Sequence, residues 1–312
     1  MKEWIMERLS LVRISMMAYY LWSIQLLIAE YDQAIAYALQ EWQLSDFQVI
    51  VYPCVFNNYL AICYSEIYQS QVVLKISQSN YECYALQALQ GDGIVKLLDY
   101  NLEHCALLLE YLPAQNTFKD FLVEHGEDQA IDVFVDLFKK IHAYQRSVQS
   151  NEFTTVFDTF SFLYSCNSIK IPESLLKKSI EIYKQLMVSS DSYCLLHGDL
   201  HCINILQTND HFVAIDPWGL VGPLECEAAS FLSSPTDLLL EGSTDKILQN
   251  RLDRLSSLLN LNKKRLKYWS FLRLIRLAYV CEFMNKHDDW IEQFIQVAQI
   301  IDQLNEYEQI EA

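Results

Sequence analysis

The chain has 312 residues with 52% hydrophobic content, ample for one large or two ordinary domains and too apolar for an intrinsically disordered protein. Its formal charge of −17 argues against a nucleic-acid binder, which needs a basic face to displace counterions from phosphate, and favours cationic or neutral partners, with a merely solvated acidic surface as the alternative. Nine cysteines, an odd number with no C-x-x-C pair, do not form a disulfide framework and suit a reducing cytoplasmic setting.

The first apolar run, Ile14 to Ala29, spans 16 residues and contains Ser15, Ser23 and Gln25. It falls short of the roughly 20 apolar residues of a bilayer span, so it reads as a buried helix and no membrane partner is expected. Glu3 and Glu7 occupy what would be the basic region of a leader peptide, and Met16 or Met17 would serve as an alternative start. From Phe47 to Leu112 the text alternates short β-prone runs with one helix. The strands are expected at Phe47 to Cys54, Tyr59 to Ser65, Gln71 to Ser77, Ile94 to Tyr100 and Cys105 to Leu112, and the helix at Asn80 to Gln90, stopped by Gly91. Beyond Pro113 the period becomes helical. Ile131, Phe134, Phe138 and Ile141 form one apolar stripe, and Glu173 to Val188 and Leu252 to Leu304 continue the pattern. A short hairpin is expected from Ile203 to Leu206 and Phe212 to Ile215, turning at Thr208, Asn209 and Asp210.

The chemistry concentrates between Leu195 and Gly219, in LLHGDLHCINILQTNDHFVAIDPWG. His197, Asp199 and Asn204 keep the interval of the H-R-D-x-x-x-x-N catalytic loop of protein kinases, where the Asp takes the proton of the acceptor hydroxyl and the Asn holds a magnesium ion. Asp216 follows the hairpin as the natural second metal ligand, so Asn204 and Asp216 are the candidate Mg2+ site and both are hard oxygen donors. Lys75 is a lone charge in the apolar strand VVLKI; it either snorkels from a sheet edge or pairs with a carboxylate. Glu82, seven residues on in the expected helix, matches the strand-Lys and helix-Glu pair by which kinases fix an ammonium on the α- and β-phosphates, although Glu66 is also near in sequence. His197 has a structural reading, and His201 either faces substrate or packs. Cys194, His197, His201 and Cys202 superficially suggest zinc, a reading that leaves Asp199 and Asn204 idle. No P-loop text exists, and no glycine precedes Gly91, which removes a Gly-x-Gly-x-x-Gly loop. By position the phosphate-covering loop is VFNNYL, Val55 to Leu60, where Asn57 and Asn58 best tolerate left-handed backbone angles.

Gly198 in place of Arg, and Ile215-Asp216-Pro217 in place of Asp-Phe-Gly, resemble the aminoglycoside phosphotransferase family. The run AIDPWGLVGPLECEAASFLSSP is similar to its aminoglycoside 6-phosphotransferase and hydroxyurea phosphotransferase branch, with Glu227, Ala228, Ala229 and Pro235 in step and Pro223, Leu224, Glu225 and Cys226 out of step. The resemblance implies an α+β, two-lobed protein-kinase-like fold with a small β-rich N-lobe and a larger helical C-lobe. Residues 1–112 would form an N-terminal helix and nucleotide-binding lobe, and residues 113–312 the catalytic and substrate-binding lobe, joined near Glu110 to Ala114. It further implies transfer of the γ-phosphoryl of ATP to a hydroxyl of a small molecule, aminoglycoside-like or otherwise cationic, by an antibiotic-resistance-type kinase acting as a monomer or weak dimer. Asp199 would be the base and Lys75 the phosphate contact. The Glu110 carbonyl and Leu112 amide would meet the adenine edge, with Leu109 behind the base. The helices around Arg265 to Phe283 would border the acceptor, with Glu225, Glu282, Asp288 and Asp289 as negative charge. Trp218 stands where the family commonly has a basic residue and weakens any transfer of substrate identity from aminoglycoside or hydroxyurea enzymes. A catalytically silent binding module is the alternative. Protein kinase activity ranks lower because no Ala-Pro-Glu text follows Asp216.

Overall fold

A computed structural model describes residues 31–51, 58–77, 79–114, 116–143, 153–166, 168–188, 193–209, 211–286 and 288–306. The run Ile14 to Ala29, Cys54 and the Val55–Asn57 part of the expected phosphate loop lie outside the described residues. The chain divides into two compact units, one made of Met1–Cys83 with Leu97–Tyr111 and the other of Tyr84–Lys96 with Leu112–Ala312.

The first unit is built on a sheet. Its described part begins with helix α1, residues 31–41, followed by β1 (Leu44–Val51), β2 (Tyr59–Ser65) and β3 (Ser70–Ile76). Helix α2 (Tyr81–Ala88) comes next, with Tyr81–Cys83 in this unit, and β4 (Leu97–Asn101) and β5 (Ala106–Glu110) complete it. The five strands run antiparallel in the order β1-β2-β3-β5-β4. Strand β2 alternates strictly, burying Tyr59, Ala61, Cys63 and Ser65, because successive side chains of a strand point to opposite faces. That face packs on Tyr31, Ala34, Ala38 and Trp42, and Trp42 is fixed by its Nε1–H donating to Asp99 Oδ2 at 2.9 Å. Strand β3 is central, with Lys75 opposite Leu60 on one side and Leu107 on the other. Lys75 is therefore not on a sheet edge, and snorkelling to water does not account for it.

The second unit is mainly helical. After β6 (Asn116–Thr117), helix α3 (Phe118–His125) starts on a capping box, Thr117 Oγ1 accepting the Asp120 N–H and Asp120 Oδ2 accepting the Thr117 N–H at 2.8 Å. Helix α4 (Glu127–Ile141) buries the stripe read from its period, Ile131, Phe134, Phe138 and Ile141. Then come α5 (Glu173–Val188), β7 (Cys194–Leu196), β8 (Ile205–Gln207), β9 (Phe212–Ala214) and β10 (Leu220–Gly222). Helices α6 (Leu224–Leu232), α7 (Thr236–Leu240), α8 (Thr244–Leu258), α9 (Lys263–Phe283) and α10 (Asp288–Gln303) close the unit. Helix α9 buries Leu266, Trp269, Phe271, Leu272, Leu274, Ile275 and Ala278, more than one face, as a helix surrounded by α5, α6, α8 and α10 requires.

Several expected bounds are corrected, among them the strand expected from Phe47, which begins at Leu44. The strand expected from Ile94 begins at Leu97, because Ile94 bridges Ala214 and Val95 N–H donates to the Ala214 carbonyl at 2.9 Å. Ile203, expected in the hairpin, lies in a 3-10 turn over Cys202–Asn204 and β8 starts at Ile205. Among the described residues no helix is long and apolar enough to cross a membrane.

One buried charge anchors the helical unit. Arg251 is fully buried on α8; its guanidinium donates to both Glu127 oxygens at 2.7 and 2.8 Å and to the Phe231 and Ser234 carbonyls at 2.9 and 2.6 Å. Arg251→Met leaves that carboxylate and both carbonyls without these donors. It is expected to lower stability by about 3–5 kcal/mol, read as an earlier urea midpoint, whereas an unchanged midpoint would show the network to be energetically idle.

Candidate active site

Strands β7 and β10 pair antiparallel, and between them the chain makes the catalytic-type loop, the β8–β9 hairpin and the Asp216 loop. His197, directly after β7, stitches these loops together. Its ring is fully buried with Nε2 2.9 Å from the Ile215 carbonyl, and its own carbonyl accepts the Trp218 and Gly219 N–H groups at 2.7 and 3.2 Å. The Asp199 N–H approaches Nδ1 at 3.4 Å, so the neutral tautomer carrying its proton on Nε2 satisfies both sides. Burial holds the imidazole down to about 4 against the raising effects of Asp199, Ile215 and Asp216, and the ring stays uncharged as the structural reading requires.

Gly198 turns the loop at φ +86°, a left-handed value, and a Cβ there would lie 3.0 Å from Leu220 Cγ. The protein-kinase arginine would be strained at this backbone angle and would press on Leu220. The Gly198 N–H donates instead to Glu227 Oε2 at 3.0 Å, a contact that arrives from α6.

Asp199 is held from several sides. Asn204 Nδ2 donates to its carbonyl at 3.1 Å and approaches Oδ2 at 3.4 Å, His201 Nε2 stands 3.4 Å from Oδ2, and Arg273 of α9 stands 3.4 Å from Oδ1. Burial raises its carboxyl, but His201, Arg273 and His197 together outweigh burial and hold it well below the usual carboxylate range. Asp199 is thus ionised and oriented. His201 accepts the Ile203 N–H on Nδ1 at 3.2 Å, which caps the 3-10 turn and leaves Nε2 to carry the proton toward Asp199. The packing reading thereby gains two local partners, the turn and Asp199.

Asn204 and Asp216 are brought together through the backbone, the Ile215 N–H donating to the Asn204 carbonyl at 2.9 Å. Asp216 has φ +64°, costly for a residue with a Cβ and of the kind that persists where surrounding structure enforces it. The Asn204 amide nitrogen faces Asp199, so its Oδ1 points the other way. One amide oxygen and one carboxylate are a donor set that fits magnesium, which takes few protein ligands and completes its shell with water and phosphate. The zinc reading fails. Cys194 and Cys202 thiols approach the Gly222 and Ser234 carbonyls, and no metal-holding group of three or more His, Cys, Asp or Glu occurs among the described residues.

In the sheet unit, Lys75 Nζ lies 2.6 Å from Glu82 Oε2, both side chains 9% exposed, so the carboxylate chosen for Lys75 is Glu82. Glu66 sits in the β2–β3 turn, where Gln69 Nε2 donates to its carbonyl at 2.7 Å. Glu110 ends β5 opposite Val72, Leu109 is buried beside it, and the Leu112 carbonyl accepts the Ala114 N–H at 2.7 Å. The acids expected to serve a cationic acceptor are largely occupied. Glu225 approaches Arg265 at 3.5 Å, Glu282 accepts the Ile169 N–H at 2.8 Å and the Ser168 hydroxyl, and Asp288 pairs with Lys170.

Sequence reasoning assigned no role to Glu227, Arg273 or Arg276. The signal for the arginines is their spacing of three in the otherwise apolar run SFLRLIRLAYV, which puts two charges on one face of a buried helix. For Glu227, buried at 1% exposure, burial pushes the carboxyl up to about 8 against the Gly198 bond, and the Asp199 charge adds to the rise. The folded protein then keeps a proton that the unfolded chain releases, so stability declines as pH rises from the ordinary 4.5 through about 8. Glu227→Gln keeps an acceptor for Gly198 and removes the titration. Its melting temperature is expected to fall less than the native one between about pH 6 and about pH 9; equal falls would refute the assignment.

A family model described as aminoglycoside/hydroxyurea antibiotic resistance kinase matches residues 69–281, more than half of the chain. A streptomycin 6-kinase of Streptomyces griseus is 28% identical over 200 residues, 61% of this chain and 63% of that protein, so the match spans just under two thirds of the relative's length. A choline/ethanolamine kinase family protein from Mesorhizobium loti superposes with a TM-score of 0.65 at 11% identity, covering 89% of this chain and 96% of that one. A thermostable mutant of an aminoglycoside phosphotransferase, solved as a ternary complex with ADP and hygromycin B, gives 0.55 at 10% identity, covering 85% and 97%. At these identities the solved structures establish the shared kinase-like fold.

Proposed function

Because the chain belongs to the aminoglycoside/hydroxyurea antibiotic resistance kinase family, we propose that it transfers the γ-phosphoryl group of ATP to a hydroxyl of a small molecule. The observation that carries this reading is Asp199, ionised, held through Asn204, His201 and Arg273, and set in the loop whose spacing belongs to phosphoryl transfer. In the proposed step the acceptor oxygen bonds to the γ-phosphorus, the bond to the β,γ-bridging oxygen breaks, ADP leaves and the hydroxyl proton passes to Asp199. A carboxylate of low pKa suits a loose transition state, in which the acceptor loses its proton late. Asn204 and Asp216 would hold Mg2+, which when bound neutralises phosphate charge. Lys75, oriented by Glu82, would contact the α- and β-phosphates, and the Glu110 carbonyl and Leu112 amide would meet adenine. Residues 1–112 would serve nucleotide binding and residues 113–312 catalysis and acceptor binding. A cytoplasmic setting fits eight free cysteines among the described residues, and a monomer or weak dimer is the proposed state.

The test is an ATP-consumption screen with magnesium against streptomycin, other amino sugars, hydroxyurea, choline-like amines and sugar alcohols, beside an Asp199→Ala control. Streptomycin leads the panel because the relative from Streptomyces griseus is a streptomycin 6-kinase. Acceptor-dependent ADP release that the control lacks supports the reading; failure of the intact protein to bind nucleotide sinks it.

A further inference from the structure

Two guanidinium groups stand on one face of α9 beside Asp199. Arg273 is 9% exposed and divides its donors between Asp199 Oδ1 and Ser233 Oγ, each at 3.4 Å. Arg276, one turn along the helix, has no hydrogen-bond or ion-pair partner among the described residues. Its guanidinium lies 5.2 Å from the Trp218 ring centroid and 5.9 Å from that of Phe160. A half-buried cation whose close contacts among the described residues are aromatic faces lacks an ion-paired anion to offset its desolvation, and the Asp199 charge acts on it without forming an ion pair. The neighbouring acids do not supply one. Glu227 is kept protonated by burial, the Cys226 thiol is pushed up to about 12, Glu225 faces Arg265, and Asp199 is shared with Arg273. Burial, and then the like charge of Arg273, hold the Arg276 guanidinium below its ordinary pKa, the direction expected of a cation short of compensation.

The two oxygens of Asp199 separate the functions around it. Asn204 and His201 approach Oδ2, so the candidate metal side lies there, whereas Arg273 approaches Oδ1. We infer that Arg273 and Arg276 form an anion-binding subsite of the acceptor, and that the acceptor carries a carboxylate or phosphate group close to the hydroxyl that Asp199 activates. The inference rests on the phosphotransferase reading and narrows its substrate class, away from the purely cationic acceptor suggested by the overall charge of the chain. A planar guanidinium fork recognises either group bidentately, and Trp218, 44% exposed, leaves a flat apolar wall next to it for the carbon skeleton.

The experiment uses the full chain with magnesium and ATP and follows ADP release over the acceptor-free rate. Acceptors are offered as matched sets: glucose, gluconate and glucose 6-phosphate; glycerol, glycerate and glycerol 3-phosphate; and streptomycin as the cationic comparison. The expected result is a kcat/KM at least about tenfold higher for an anionic member than for its neutral parent, the carboxylate and phosphate arms deciding between the two sources of charge. Arg276→Gln is expected to raise the KM for that acceptor about tenfold or more while the KM for ATP stays within about twofold, and Arg276→Lys to recover part of the loss. Equal or better turnover of the neutral parents or of streptomycin would overturn the inference and leave the phosphotransferase reading standing. So would an Arg276→Gln variant altered only in its KM for ATP, which would assign the arginine to the nucleotide. A panel wholly silent while magnesium and ATP raise the melting temperature also counts against an anionic acceptor. Absence of any nucleotide binding removes the phosphotransferase reading and this inference with it.

Discussion

Asp199→Ala is expected to lower acceptor phosphorylation by about 10²- to 10⁴-fold while nucleotide affinity changes by no more than a few-fold. The size follows from the proposed role. The carboxylate is the one group in its loop positioned by three side chains, Asn204, His201 and Arg273, and a positioned general base contributes a rate factor of that order. The selectivity follows from the proposed roles, Asp199 at the acceptor hydroxyl and Lys75, Glu110 and Leu112 at the nucleotide. Coupled ADP-release kinetics and calorimetric titration with ATP separate the two. Native-like turnover in the variant would remove Asp199 from the chemistry. Its pH behaviour adds a second reading of the same group. With a folded pKa below the ordinary carboxylate value, Asp199 contributes stability that is present above that ordinary value and lost as pH falls toward the folded one. The base therefore stays ionised across neutral and mildly acidic pH, and the rate should not decline there on its account.

Lys75→Met is expected to cost about 3–5 kcal/mol of stability and to weaken ATP binding, whereas Lys75→Met combined with Glu82→Leu restores much of the stability and none of the binding. The single change takes from the buried Glu82 carboxylate, next to a central strand, the ammonium 2.6 Å away, and loss of a paired charge at a buried carboxylate is what makes such a change expensive. The double change removes both charges and replaces them with apolar volume. A purely structural pair would regain stability and lose no affinity for nucleotide, so chemical denaturation and ATP titration on the same two variants divide packing from function. Equal stability of the single variant and the native chain would show that the pair is solvated.

Much of the fold was legible because its signals are local. Strand β2, Tyr59–Ser65, and helix α5, Glu173–Val188, run between the very residues expected, since strict alternation in one and a clean helical period in the other are set by the chain's own neighbours. Where pairing is made by distant segments the reading slipped. Ile94 is as β-prone as the residues after it, yet it bridges to Ala214, and Ile203 is drawn into the turn that His201 caps. Lys75 could be placed on a strand but that strand could not be placed at the centre of the sheet, because sheet order is decided by which strands meet and not by any one of them. At the candidate site the spacing of His197, Asp199, Asn204 and Asp216 is short-range, and the backbone bonds between the loops bring these residues together as that spacing implies. Glu227 and Arg273 were invisible as partners of this loop. They come from α6 and α9, and Arg273 lies 74 residues from Asp199.

The sequence by itself determined the elements, the catalytic-type spacing and the donor chemistry of Asp199, Asn204, Asp216, Lys75 and Glu82, because period, turn residues and motif intervals are properties of neighbouring positions. Tertiary structure alone decided which charges are compensated. Packing of α6 and α9 against the loop buries Glu227 until it keeps its proton, turns Arg273 onto Asp199 and leaves Arg276 on the faces of Trp218 and Phe160. Desolvation and pairing depend on what surrounds a group in space. An acidic chain can for that reason present two cations beside the one carboxylate proposed to do its chemistry.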